Sequence, residues 1–144
     1  MSIWRQPATP EEIRARQGES VNALLDIVIT EIGPDFIKGE MPVDHRHVQP
    51  FGILHGGVSV VLAETLGSLA SLMACEPGFH AVGLEVNANH LRPNPKGGRA
   101  YGTCTPVRIG RSVHVWNIEL RRDDGELFCV SRLTTAIIER KKSA

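Results

Sequence analysis

One carboxylate stands alone in an apolar run. From Gly56 to Ala74 every position other than Glu64 is Val, Leu, Ala, Gly, Ser, Thr or Met. Burial of such a group favours its neutral form unless partners compensate, and a carboxyl held this way can serve as a base or a nucleophile. The plain structural alternative is a hydrogen bond to Ser68, one helical turn on. Eight residues before Glu64, the run opens with His55-Gly56-Gly57. Two glycines let a ligand approach the backbone closely, and the first N–H groups of a helix have no internal partner. Aimed at a carbonyl, such donors and the positive end of the helix dipole stabilise an oxyanion. A tight turn or close helix packing is the other use of such glycines.

Spacing limits how these groups can cooperate. On a helix rising about 1.5 Å per residue, Gly56 and Glu64 are roughly 12 Å apart along the axis. One chain's pair cannot meet at one carbonyl, so a shared reaction requires a second subunit. Two such helices running antiparallel about a two-fold axis bring each Gly56 near the other chain's Glu64. The expectation is a homodimer with composite sites. A third feature is electrostatic: no Asp or Glu occurs between Glu85 and Glu119, whereas Arg92, Lys96, Arg99, Arg108 and Arg111 fall inside that interval. Arg108-Ile109-Gly110-Arg111-Ser112 adds glycine backbone and a hydroxyl at a strand turn, groups suited to phosphates.

The elements that must position these groups follow from the patterning. Thr9-Pro10-Glu11-Glu12 reads as a helix start with a capping box, ended near Gly18, within an N-terminal helical extension over 1–23. Leu24 to Ile32 reads as a strand, Gly33-Pro34-Asp35 as a turn, and Phe36 to Val43 as a returning strand. Gly56 to Cys75 reads as a helix buried nearly all round. A membrane span is disfavoured by its Gly, Ser and Thr content and by the central Glu64. Val82 to Ala88, Arg99 to Val107, Ser112 to Arg121 and Glu126 to Ile138 read as strands. The turns at 94–98, 109–110 and 123–125 suggest an antiparallel meander. The fold class is α+β, one long central helix in a curved antiparallel sheet.

Composition sets the outer limits. The chain has 144 residues, 42% hydrophobic and 22% charged, with 16 Lys+Arg against 16 Asp+Glu, which suits one domain over 1–144 with enough apolar material for a core. Neutral balance argues against nucleic acid or an anionic membrane as a general partner. The three cysteines, Cys75, Cys104 and Cys129, form no C-x-x-C pair and read as reduced core thiols. His45-x-His47 reads as a solvated loop, and no metal or other cofactor is expected. The N-terminus lacks the basic-then-apolar run of a secretory signal, so the expected location is cytoplasmic.

Phe51-Gly52-Ile53-Leu54-His55-Gly56-Gly57 through Ala63-Glu64, together with Val82–His90 and Ser131–Ala136, resembles the hotdog-fold acyl-CoA thioesterases. The similarity is to the branch containing hydroxybenzoyl-CoA thioesterase and dihydroxynaphthoyl-CoA hydrolase, and it spans Leu24 to Ile138. It implies a helix wrapped by a sheet, dimers commonly paired into homotetramers, and sites shared between chains. By position, Glu64 matches the catalytic carboxylate and Gly56 the donor that polarises the thioester carbonyl. Gln49 and His55 match groups that orient the thioester, leaving thiolate or water, and Ser68 matches a residue positioning that water. His90 matches an acyl contact. Arg92, Arg108, Gly110, Arg111 and Ser112 are candidates for the CoA nucleotide. The implied reaction is hydrolysis of an aromatic or otherwise hydrophobic acyl-CoA, with coenzyme A present only as part of the substrate. A hotdog hydratase or dehydratase and a non-catalytic acyl-CoA binder are the alternatives.

Overall fold

Nineteen consecutive residues free of proline make one helix in the computed structural model, which describes residues 1–142. In chain order the elements are α1 (Pro10–Ala15), α2 (Val21–Leu24), β1 (Val28–Ile32), β2 (Ile37–Pro42), α3 (Gly56–Ala74), β3 (Phe79–His90), β4 (Arg99–Ile109), β5 (Val113–Arg121) and β6 (Leu127–Glu139). The six strands form one antiparallel sheet in the order β1-β2-β4-β5-β6-β3. Long and apolar enough to cross a bilayer, α3 is here the core helix instead. Leu62, Ala63, Leu66, Ala70 and Met73 pack it onto the sheet with Trp116, Ile118, Leu120 and Leu133.

Glycines set how closely helix and sheet approach. Gly39 and Gly102 are cross-strand partners, and Leu66 fills the hole they leave: a Cβ on Gly102 would lie 2.5 Å from Leu66 Cδ1, and one on Gly39 2.7 Å from Leu66 Cδ2. Further along, Ser71 Oγ accepts from Trp116 Nε1 at 2.6 Å and lies 2.7 Å from Thr135 Oγ1. His114 Nδ1 is 3.3 Å from the same hydroxyl. This Ser–His pair is sealed in the core, and burial lowers the His114 pKa.

Four expectations need correction. Leu24 does not begin a strand: Ser20 accepts from Ala23 N–H and caps the short α2, so β1 starts at Val28. The helix is not buried all round. Val61, Glu64, Thr65, Ser68 and Leu72 are only half-buried in a single chain, because the sheet covers one side. The meander extends only through β4, β5 and β6; β3 lies at the far edge beside β6, so segment 94–98 crosses the fold rather than closing a hairpin. Asn94 is buried there, donating from Nδ2 to Arg99 O at 3.0 Å and accepting from Leu54 N–H at 2.8 Å. His47, read as solvated, is fully buried. Its Nε2 donates to Leu25 O at 2.7 Å, and its Nδ1 lies 3.0 Å from Asp44 Oδ1. The capping box at Thr9 and Glu12 and the free, buried state of all three cysteines are as the sequence implies.

Candidate active site

The loop 49–55 is shaped before α3 begins. Gly52 has φ of 81°, a conformation glycine adopts without strain, and its N–H donates to Gln49 O at 2.9 Å. Gln49 Oε1 accepts from Phe51 N–H, which leaves the Phe51 ring 90% exposed. At the first turn of α3, His55 Nδ1 accepts from Gly57 N–H at 2.9 Å, while His55 O accepts from Val58 and Ser59 N–H. The Gly56 N–H donates to no group among the described residues. A helix N-terminus thus retains one open donor, at the positive end of a nineteen-residue helix. An added Cβ at Gly56 would lie 2.9 Å from Nε2 at the end of the His90 side chain, so a larger residue there would have to move that imidazole.

His90 reaches that position through a bulge. β3 pairs Gly83 with Thr135 but Glu85 with Thr134, so Leu84 is the extra residue. Ala81 and Gly83 face α3 before the bulge, and Val86, Ala88 and His90 face it afterwards. Gly83 lies beneath the carboxylate, where an added Cβ would sit 2.9 Å from Glu64 Oε1. A glycine inside a strand pattern signals a bulge or a close approach. That signal was available in the sequence, yet Gly83 is absent from the residues it singled out.

The sequence-derived candidates divide into three groups. Glu64 and Ser68 line an open pocket of about 890 Å³ with Asn22, Val61, Thr65 and Leu72. Gln49, Gly56, His90 and Arg92 line a separate one of about 420 Å³. Gly110 and Arg111 line a third, at the β4–β5 turn, where Arg108 Nε lies against Gly110 and Ser112 O accepts from Ile137 N–H at 2.9 Å. The basic interval is partly neutralised in space, because Arg92 lies 3.6 Å from Glu126 and Arg99 3.3 Å from Glu40. Arg108 and Arg111 form no salt bridge among the described residues.

A long central helix packed on one face of a six-stranded antiparallel sheet is the hotdog architecture. The chain belongs to the thioesterase superfamily, whose family model matches residues 51–129. It is 46% identical over 136 residues to the 1,4-dihydroxy-2-naphthoyl-CoA hydrolase of Escherichia coli, covering 94% of this chain and 99% of that protein. A thioesterase crystal structure from Haemophilus influenzae superposes with a TM-score of 0.92 at 47% identity, over 95% of both chains. A mutant thioesterase from Pseudomonas aeruginosa gives 0.93 at 44% identity, over 96% of this chain and 100% of that one. The protein is a thioester hydrolase of hotdog architecture.

Proposed function

We propose that the protein hydrolyses hydrophobic acyl-CoA thioesters in the cytoplasm as a homodimer, with each active site built from Gln49, Gly56 and His90 of one chain and Glu64 and Ser68 of the other. The observation carrying this reading is the division of one protomer's candidates into two pockets, neither of which holds both Gly56 and Glu64. The Gly56 N–H would donate to the thioester oxygen as that oxygen gains charge, with the helix dipole behind it. Glu64 would attack the carbonyl carbon or take a proton from water positioned by Ser68. By either route water is consumed, the C–S bond breaks, and the free acid and CoA thiol leave. Gln49 and His55 shape the loop that presents the donor; Arg92, Arg108 and Arg111 supply cations for the CoA phosphates. Pairing of such dimers into a tetramer belongs to the same reading.

Edge strand β3 supplies the means of pairing. Antiparallel addition of a second copy's β3 would complete its free edge. With Gly83 set opposite the partner's His90, the inward positions match in order, Val86 falls opposite the partner's Ala88, and the two-fold passes through Asn87. Each Glu64 then comes beside the other chain's Gly56.

The test is thiol release with Ellman's reagent from benzoyl-CoA, 1,4-dihydroxy-2-naphthoyl-CoA and decanoyl-CoA. All three cysteines are buried, and burial raises each thiol's pKa, Cys129's to about 11; a reaction without ester is subtracted for whatever signal they give. Glu64→Gln should lose about a hundredfold or more in turnover while keeping its unfolding midpoint. Unchanged release in that variant would remove Glu64 from the chemistry. Failure of the wild type to release thiol from any ester would defeat the acyl-CoA reading.

A further inference from the structure

The space in front of Glu64 does not end at the carboxylate. On the far side of Thr65 lies a second cavity of about 400 Å³, within the roughly 300–1,000 Å³ typical of small-molecule sites. Asn22, Thr65, Leu69, Leu72 and Arg140 are walls of both. Val61, Thr65, Leu69 and Leu72 follow one another at i+4 and i+3 along α3, so a single strip of helix floors both cavities. The inner walls are Ile13 of α1, Ile27, Ile29, Met73 and Ala8. No acidic side chain lines the cavity, and Gln17 Nε2 is already engaged with Ile27 O at 2.9 Å. Its arginines can lay their aliphatic stems on apolar surface and keep their charge at the rim.

We infer that this inner cavity holds the far end of an unbranched aliphatic acyl group, and that the N-terminal extension is its lid. The inference rests on the thioesterase reading above and adds to it where the substrate's tail goes. The roof is made by residues that precede the segment 51–129 matched by the family model. The lid is fixed from two sides. Thr65 Oγ1 lies 3.1 Å from Asn22 Oδ1, holding α2 beside the helix position next to Glu64. At the other end of α2, Arg46 Nη1 donates to Leu24 O at 2.7 Å and His47 Nε2 to Leu25 O at 2.7 Å. A short acyl group would stop in front of Glu64, whereas a long one must pass Thr65 and its contact with Asn22 to enter the inner cavity.

The experiment compares kcat/KM for decanoyl-CoA and benzoyl-CoA in the wild type, Ile13→Trp and Ala8→Phe. Both substitutions fill the inner cavity from the lid side, away from Glu64 and Gly56. Each should lower decanoyl-CoA kcat/KM by about tenfold or more and leave benzoyl-CoA within about twofold, since benzoyl turnover also reports intact folding. Equal losses on both esters, no loss on either, or a wild type that hydrolyses benzoyl-CoA but not decanoyl-CoA would overturn the cavity assignment while leaving the thioesterase reading intact. A wild type inactive on every ester would overturn both.

Discussion

At the residue scale, Glu64 is controlled by what lies beneath it. The carboxylate rests on a glycine, with the space for a Gly83 Cβ occupied to within 2.9 Å by Glu64 Oε1. A methyl group there displaces a flexible side chain rather than backbone, so the fold should tolerate it better than catalysis does. Gly83→Ala is expected to lower kcat by about tenfold or more through misplacement of the carboxylate, with the thermal midpoint little changed. Steady-state kinetics alongside a melting curve check this. A fall in stability with kcat preserved would mean that Gly83 serves packing alone. His47 gives the opposite lesson. Its place at the end of the polar run Asp44-His45-Arg46-His47 suggested solvent, yet both ring nitrogens are engaged in the interior. No local pattern reports that Leu25 O lies across from it.

At the scale of elements, the sheet's glycines and the α2 brace carry separate loads. Gly102→Ala puts a methyl against Leu66 Cδ1 at 2.5 Å and is expected to cost about 1–3 kcal/mol by overpacking, measured as a shift in urea midpoint. The brace responds to acid. The Arg46 guanidinium beside Asp44 holds its carboxyl well below the usual carboxylate range. A lowered folded pKa stabilises the native state above the unfolded value of about 4, and that contribution is lost as pH falls through the folded pKa. Asp44→Asn should therefore be less stable than wild type at pH 7, with the gap closing towards pH 2; a gap independent of pH would exclude the ionised carboxylate as its source. Helix α3 and strands β4 to β6 were legible in the sequence because their periodicity and turns are local. Strand order was not, since the place of β3 beside β6 is decided by the packing of α3 across the sheet. The bulge at Leu84 was equally hidden: one added residue switches the inward set from Gly83 to Val86 and His90, and only pairing with β6 reveals it.

At the scale of the whole molecule, the candidate site is divided, and division is testable by mixing. A Glu64→Gln chain and a Gly56→Pro chain, the second lacking the N–H donor at a first helical position that accommodates proline, should each be inactive alone and regain activity when unfolded and refolded together. Half of a random mixture is heterodimer and one of its two sites carries both native groups, so recovery should approach about a quarter of wild type. No recovery, with mixed dimers demonstrated by mass, would place Gly56 and Glu64 in one chain's site. Asn87→Cys should form a disulfide between chains under mild oxidation, because residues at a two-fold face their own copies at roughly 5 Å. A chain that dimerises without that crosslink would require a different register.

The uncovered edge of β3 also bears on how the protein is made. In a single chain this twelve-residue strand presents free backbone groups along one side, and Val82 and Leu84 are 40% and 61% exposed; in the dimer proposed above a second chain would cover it. On that proposal, newly folded chains would face a race between pairing with their own copy and joining any other open edge. Glu85, Asn87 and Asn89, all exposed, with Asn87 Nδ2 donating to Glu85 at 3.3 Å, make the outer side of that strand a poor template for strangers. Under the same proposal, correct assembly would depend on chain concentration and charge as much as on folding.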